Sequence, residues 1–204
     1  MKLYDLSFPL ENRMPYFDGD PVPEIEQFKV LEKDGVNIKR ISIGSHTGTH
    51  IDAPAHFIKG GMTVDKIQIG DISGVGTCVK YDPEGKLDLP SQHFDVLFLY
   101  TGYDLKWKEF SVFRNFPYIN VEDAERIKDY GVKVVGIDSP SAEISNSKDF
   151  RTHKILLGNS IPIVENLNSS VLRNLVDKSF FVFIAPLAIT GGDGSPARVF
   201  AVEV

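Results

Sequence analysis

The chain has 204 residues, 42% hydrophobic and 25% charged, a balance that suits one folded domain with a sizeable core and excludes a disordered polypeptide. A formal charge of -6 without any lysine and arginine run excludes an extended nucleic-acid surface and leaves small molecules or copies of the chain itself as partners. The lone Cys78 rules out an intrachain disulfide framework, no apolar leader follows Met1, and the longest apolar stretch, 180–189, is broken by Pro186 and too short for a bilayer, so a cytoplasmic, membrane-free protein is expected.

Residues 2–10 read as a first strand, feeding a turn-rich loop at 14–21 that carries the adjacent aromatics Tyr16 and Phe17. Residues 37–44 alternate apolar and polar from Lys39 on, which predicts a half-buried strand. Just past it, the stretch from Ser45 to Phe57 holds three of the chain's five histidines within eleven residues. His46 and His50 are spaced as on one helix face, yet Gly48, the β-branched Thr47, Thr49 and Ile51, and Pro54 argue against a helix. An extended 49–52 segment places His50 and Asp52 on one side and Ile51 on the other, and Gly48 supplies the bend that brings His46 to them. Two imidazoles and a carboxylate form a nitrogen and oxygen donor set that suits zinc and its first-row neighbours. His56, beyond Pro54, is left as a free base.

Residues 67–81 and 94–103 read as strands, the second with a continuous apolar run at 96–100 fit for burial on both faces. Cys78 lies within the first of these and reads as a small buried residue. The aromatics Trp107, Phe110, Phe113, Phe116 and Tyr118 cluster without a period, as in a loop covering apolar surface. A helix is predicted from an Asn120 cap to Gly131, with acidic residues in its first turn and Val121, Ala124 and Ile127 facing inward. A strand at 133–138 follows. His153 and Glu165, twelve residues apart, are unremarkable singly but are the types needed to complete a metal site begun by the first cluster. A short helix at 168–176, a strand at 179–187, a glycine-rich loop at 190–198 and a closing strand at 199–204 end the chain, and the loop lacks the lysine of a phosphate-binding motif. The elements together give a mixed α/β fold, richer in strands than in helices.

The segment His46-Thr47-Gly48-Thr49-His50-Ile51-Asp52-Ala53-Pro54-Ala55-His56 resembles the signature of the metal-dependent cyclase and kynurenine formamidase family, H-x-G-[TA]-H-x-D-[AG]-P-x-H. Weaker blocks at 136–141, 153–167 and 191–198 extend the resemblance over most of the chain, from about residue 5 to 201. It implies a single strand-rich domain over residues 1–204 with a compact β-barrel-like core, of the swivelling β/α type, assembled as a homodimer or homotetramer. It further implies that His46, His50 and Asp52, joined by His153 and Glu165, bind one or two divalent ions, zinc or manganese, and that His56 is the catalytic acid and base. Phe17 stands where formamidases of the family carry a tryptophan that shapes the substrate pocket, and Arg198 reads as a structural ion-pair former. The implied reaction is hydrolysis of a small-molecule amide, N-formylkynurenine first, by metal-activated water. Ring opening of a cyclic amide such as isatin, or a metal-binding structural module without activity, are the alternatives.

Overall fold

The computed structural model describes residues 1–103 and 113–203. In chain order its elements are β1 (Lys2–Asp5), β2 (Glu24–Lys29), α1 (Leu31–Asp34), β3 (Ile38–Ser42), β4 (His50–Asp52), β5 (Gly74–Lys80), β6 (Val96–Tyr100), α2 (Val121–Tyr130), β7 (Val134–Ile137), α3 (Arg151–Gly158), β8 (Ile163–Glu165), α4 (Ser169–Leu172), β9 (Ser179–Pro186) and β10 (Gly194–Glu203). Seven strands close a barrel in the order β10, β4, β8, β7, β6, β5, β9, with β9 pairing back onto β10. The ten-residue β10 makes this closure by pairing with β4 through Gly194, Ser195 and Pro196, with β9 from Ala197 to Val202, and with β1 at its far end. The strand-rich α/β fold and barrel core expected from the sequence are both present.

Side chains from all seven barrel strands fill the interior, among them Ile51, Cys78, Phe98, Val134, Val164, Val182 and Val199. The parallel run β5, β6, β7, β8 is crossed by α2 and α3, and a second core, including Leu97, Leu99, Val135, Ile137, Ile127, Leu156 and Leu157, lies between those strands and helices. Alternate residues of β6 therefore serve the two cores, as its unbroken apolar run requires. Asp138, at the end of β7, accepts the Thr101 N–H at 2.9 Å and hydroxyl at 2.6 Å, which ties the turn after β6 to its neighbour.

Four sequence expectations change. The glycine-rich stretch expected as a loop to 198 is strand from Gly194 on, because Gly194, Ser195 and Pro196 pair with β4. The strand expected to be half-buried, β3, is exposed along its length, because it pairs only with β2 in a ribbon standing off the barrel. The expected 67–81 strand starts only at Gly74, since residues before it form tight 3₁₀ turns at Val64–Lys66 and Ile69–Asp71. The first strand stops at Asp5, whose carboxylate pairs with Arg198 Nε at 2.9 Å. The structural role expected of Arg198 is thus that of an exposed clamp between β1 and β10. Trp107 and Phe110 lie outside the described residues.

Helix α2 begins where its sequence signals place it. The Asp123 N–H donates to Asn120 Oδ1 at 2.8 Å, and Asn120 Nδ2 donates to the Pro83 carbonyl at 2.9 Å, so one side chain caps the helix and anchors it to a loop. Asn120→Ala is expected to lower stability by about 1–2 kcal/mol, seen as a lower urea midpoint with unchanged slope. An unshifted midpoint would contradict the capping role.

Candidate functional site

Strand β4 alternates as its sequence requires. Ile51 enters the barrel interior, and His50 and Asp52 face outward. Register then supplies their partner, because His50 lies directly opposite Glu165 on the antiparallel β8. His50 Nε2 is 3.3 Å from Asp52 Oδ1 and 3.4 Å from Glu165 Oε2, while its Nδ1–H donates to the Gly48 carbonyl at 2.8 Å. That backbone bond orients the ring and leaves Nε2 facing the carboxylates, where it could bind a cation. Gly48 sits at φ +70°, the left-handed bend that lets the chain turn back before β4. His46 thereby brings Nδ1 to within 2.7 Å of Asp52 Oδ1.

His153 arrives from the first turns of α3, placing Nε2 3.4 Å from Asp52 Oδ2 and 3.3 Å from Glu165 Oε1. Its Nδ1 is 3.5 Å from Glu143, whose carboxylate also accepts the Thr152 N–H at 3.0 Å and so fixes the helix start. Glu165 Oε1 accepts the Ala142 N–H at 2.6 Å and the Ser141 hydroxyl at 3.0 Å. His56, in the 3₁₀ turn Pro54–His56, lies with its ring 4.0 Å from that of His46. Asp193 Oδ2 joins these two histidines, at 3.0 Å from His46 Nε2 and 3.2 Å from His56 Nδ1.

The five ligand candidates read from the sequence thus converge, and His56 stands beside them. Two sets, His50 with Asp52 and Glu165, and His46 with Asp52 and His56, each bring their donor atoms within 4.8 Å of one another, and Asp52 is common to both. Sequence reasoning did not single out Asp193, Glu143, Ser141 or Asn166. Asn166 donates from Nδ2 to the Gly48 carbonyl at 3.0 Å and accepts the Thr49 hydroxyl at its own carbonyl at 2.6 Å, locking the histidine turn onto the end of β8. Asp193 lay in the glycine-rich block 191–198, but nothing in its spacing ties it to histidines 147 and 137 residues away.

The donor chemistry fits a divalent cation. Asp52 is 1% exposed and Glu165 4%, and no lysine or arginine pairs with either among the described residues. Two such carboxylates side by side in a dry site call for positive charge. Burial disfavours a protonated His50, but its bonds to Asp52 and Glu165 outweigh this and push its pKa up to about 10. His153 is likewise raised well above the usual value, by Asp52, Glu143 and Glu165 against the effect of burial. Burial also works to raise Glu165, yet the two histidines hold it down at about 2. Protons on the histidines balance the carboxylates in the metal-free protein, and a cation would replace them. His56 behaves oppositely. Burial and the neighbouring His46 and His153 lower its pKa, so it is neutral at pH 7.

The site floors a cavity of about 330 Å³. Phe17, Phe57, Phe116 and Phe150 form much of its wall, and the Phe17 ring sits 6.1 Å from that of Phe116 and 4.4 Å from that of Phe113. Part of the aromatic stretch expected to cover apolar surface is therefore pocket wall, and Phe17 lies on the cavity as the sequence suggested.

Zinc binding should release at least one proton near pH 7, because His50 must give up the proton it holds up to about pH 10. Between pH 6 and 8 the apparent affinity is expected to rise about tenfold per pH unit for each proton released. Titration calorimetry in buffers of different ionisation enthalpy measures this, and a heat independent of buffer would overturn it.

A family model described as putative cyclase matches residues 4–144. A protein of Methanocaldococcus jannaschii is 38% identical over 204 residues, covering 99% of this chain and 100% of that one. The kynurenine formamidase of Bacillus cereus is 31% identical over 201 residues, covering 95% and 94%. Among solved structures, one described as a potential metal-dependent hydrolase with cyclase activity superposes with a TM-score of 0.75 at 26% identity, covering 98% of this chain and 96% of the other. An isatin hydrolase bound to thioisatinate superposes with a TM-score of 0.84 at 19% identity, covering 99% and 92%, which shows the shared fold. With the signature residues gathered on one face of the barrel and the family model matched over most of its length, this chain belongs to the putative cyclase family.

Proposed function

We propose that this cyclase-family hydrolase is metal-dependent and acts on amides, as an arylformamidase that cleaves N-formylkynurenine to kynurenine and formate. The observation that carries this reading is Asp52 shared by His46, His50 and His153 at the floor of a phenylalanine-walled cavity, with a neutral His56 beside it. A bound zinc or manganese, one or two ions per chain, would supply the positive charge that polarises an amide carbonyl and makes a water more acidic. His46, His50, Asp52, His153 and Glu165 would hold that charge.

The remaining steps belong to the chain's own groups. His56 Nδ1 donates to Asp193 at 3.2 Å, leaving Nε2 to take the proton of the attacking water. As the C–N bond breaks, the same proton passes to the departing nitrogen. Formate and the aromatic amine leave, and the base is restored. The phenylalanine wall favours a flat aromatic substrate, and a cavity of about 330 Å³ suits a ligand of one ring and a short chain.

The test is formate release from N-formylkynurenine by protein stripped with chelator and reloaded with zinc or manganese. Metal-dependent turnover is expected, and His56→Ala should lower kcat by at least about 100-fold while metal content stays unchanged. Loss of the metal with the side chain would instead make His56 a ligand beside His46 and Asp52. Opening of isatin without formate release would move the substrate to cyclic amides, and metal binding without turnover of either amide would leave a structural site.

A further inference from the structure

Beside the metal-side cavity lies a second one of about 580 Å³, and the two share Phe17 and Ser145 in their walls. Tyr16, Phe17 and Phe113 give the second cavity an aromatic side as well, and opposite charges stand beside it. Asp18 and Arg114 line it, with the amides of Asn115 and Asn146. No hydrogen bond or ion pair among the described residues engages the Arg114 guanidinium or the Asp18 carboxylate. Two uncommitted side chains of opposite charge thus face one space, next to an aromatic wall that also borders the reaction cavity.

We infer that this second cavity holds the zwitterionic amino-acid end of an aryl amide substrate, with Arg114 on its carboxylate and Asp18 on its ammonium group. The inference rests on the amide hydrolase reading and deepens it, since it selects among aryl amides. A guanidinium offers a planar fork of N–H donors matched to a carboxylate, and a carboxylate accepts from an ammonium, each as a charge-assisted bond. The asparagine amides can satisfy the oxygens and protons that remain. Phe17, common to both cavities, would pack against the ring that joins the two ends of such a substrate. A bare cyclic amide carries no group for this cavity. The arrangement therefore separates an amino-acid-bearing formamide from an isatin-like one by charge, beyond what ring shape does.

Calorimetric binding of L-kynurenine and of 2-aminoacetophenone, the same aryl ketone without the amino-acid end, to metal-loaded protein tests the inference. Wild-type protein should prefer kynurenine by at least about tenfold, and Arg114→Gln and Asp18→Asn should each bring that ratio close to one. Unchanged melting temperatures identify variants that remain folded. Equal affinity for the two ligands in the wild type, or a preference that survives both substitutions, overturns the inference. Formate release is measured in parallel. Turnover without the preference removes the amino-acid cavity and leaves the hydrolase, whereas the preference without turnover removes the hydrolase and leaves the cavity.

Discussion

Two carboxylates, Asp52 and Glu165, are buried side by side in this protein, and among the described residues only histidines and hydrogen-bond donors answer them. An unpaired buried carboxylate costs several kcal/mol, so the surrounding structure must supply compensation in a fixed geometry. The Ala142 N–H and Ser141 hydroxyl meet one oxygen of Glu165, and His46, His50 and His153 crowd Asp52. Histidine protons can balance these charges, and a divalent cation held by the same donors would do so in their place. These donors offer a cation what a barrel of apolar side chains alone could not.

The barrel places these charges by register rather than by local sequence. His50 and Glu165 are cross-strand partners, Asp52 follows two residues on, and helix α3 lies over the same outward face. The neighbouring β10 opposes Asp52 with Gly194, where an added Cβ would lie 2.7 Å from His46 Cε1 and 2.9 Å from the Ile51 carbonyl. A residue without a side chain there leaves the room that the His46 ring occupies. Because β10 also carries the closure of the barrel onto β9, the strand that seals the fold is the one that borders the metal side.

Much of the site could be read from the chain because its residues obey short-range rules. Period-two alternation sent His50 and Asp52 one way and Ile51 the other, and the glycine at 48 marked the bend. Helix α2 was legible from its cap and its last residue for the same reason. What was not legible depends on distant pairing. Alternation in β3 looks like that of a half-buried strand, yet burial requires a layer to pack on, and among the described residues the ribbon it joins leaves β3 exposed along its length. Asp193 and Glu143 are common residue types whose roles exist only where the start of β10 meets the 46–56 segment and where the 139–143 turn meets α3. The return of β9 onto β10 leaves no signal in either strand's own sequence.

The histidines show how one residue type takes opposed protonation preferences a few ångströms apart. His50 sits between Asp52 and Glu165, and the carboxylates overcome burial to favour its charged form. His56 lies with its ring 4.0 Å from His46 and 6.2 Å from His153, and there burial and like-charged neighbours overcome the same carboxylates. Asp193 bridges the two environments through a single oxygen, on His46 at one side and His56 at the other. It is partly exposed, so it can orient the His56 ring without imposing the charge that a buried carboxylate would. In the proposed hydrolase a ligand must be able to lose its proton to a cation, and a base must be able to gain one from water. The separation of these two demands follows from which histidines lie among the buried oxygens and which lies above them at the edge of the cavity.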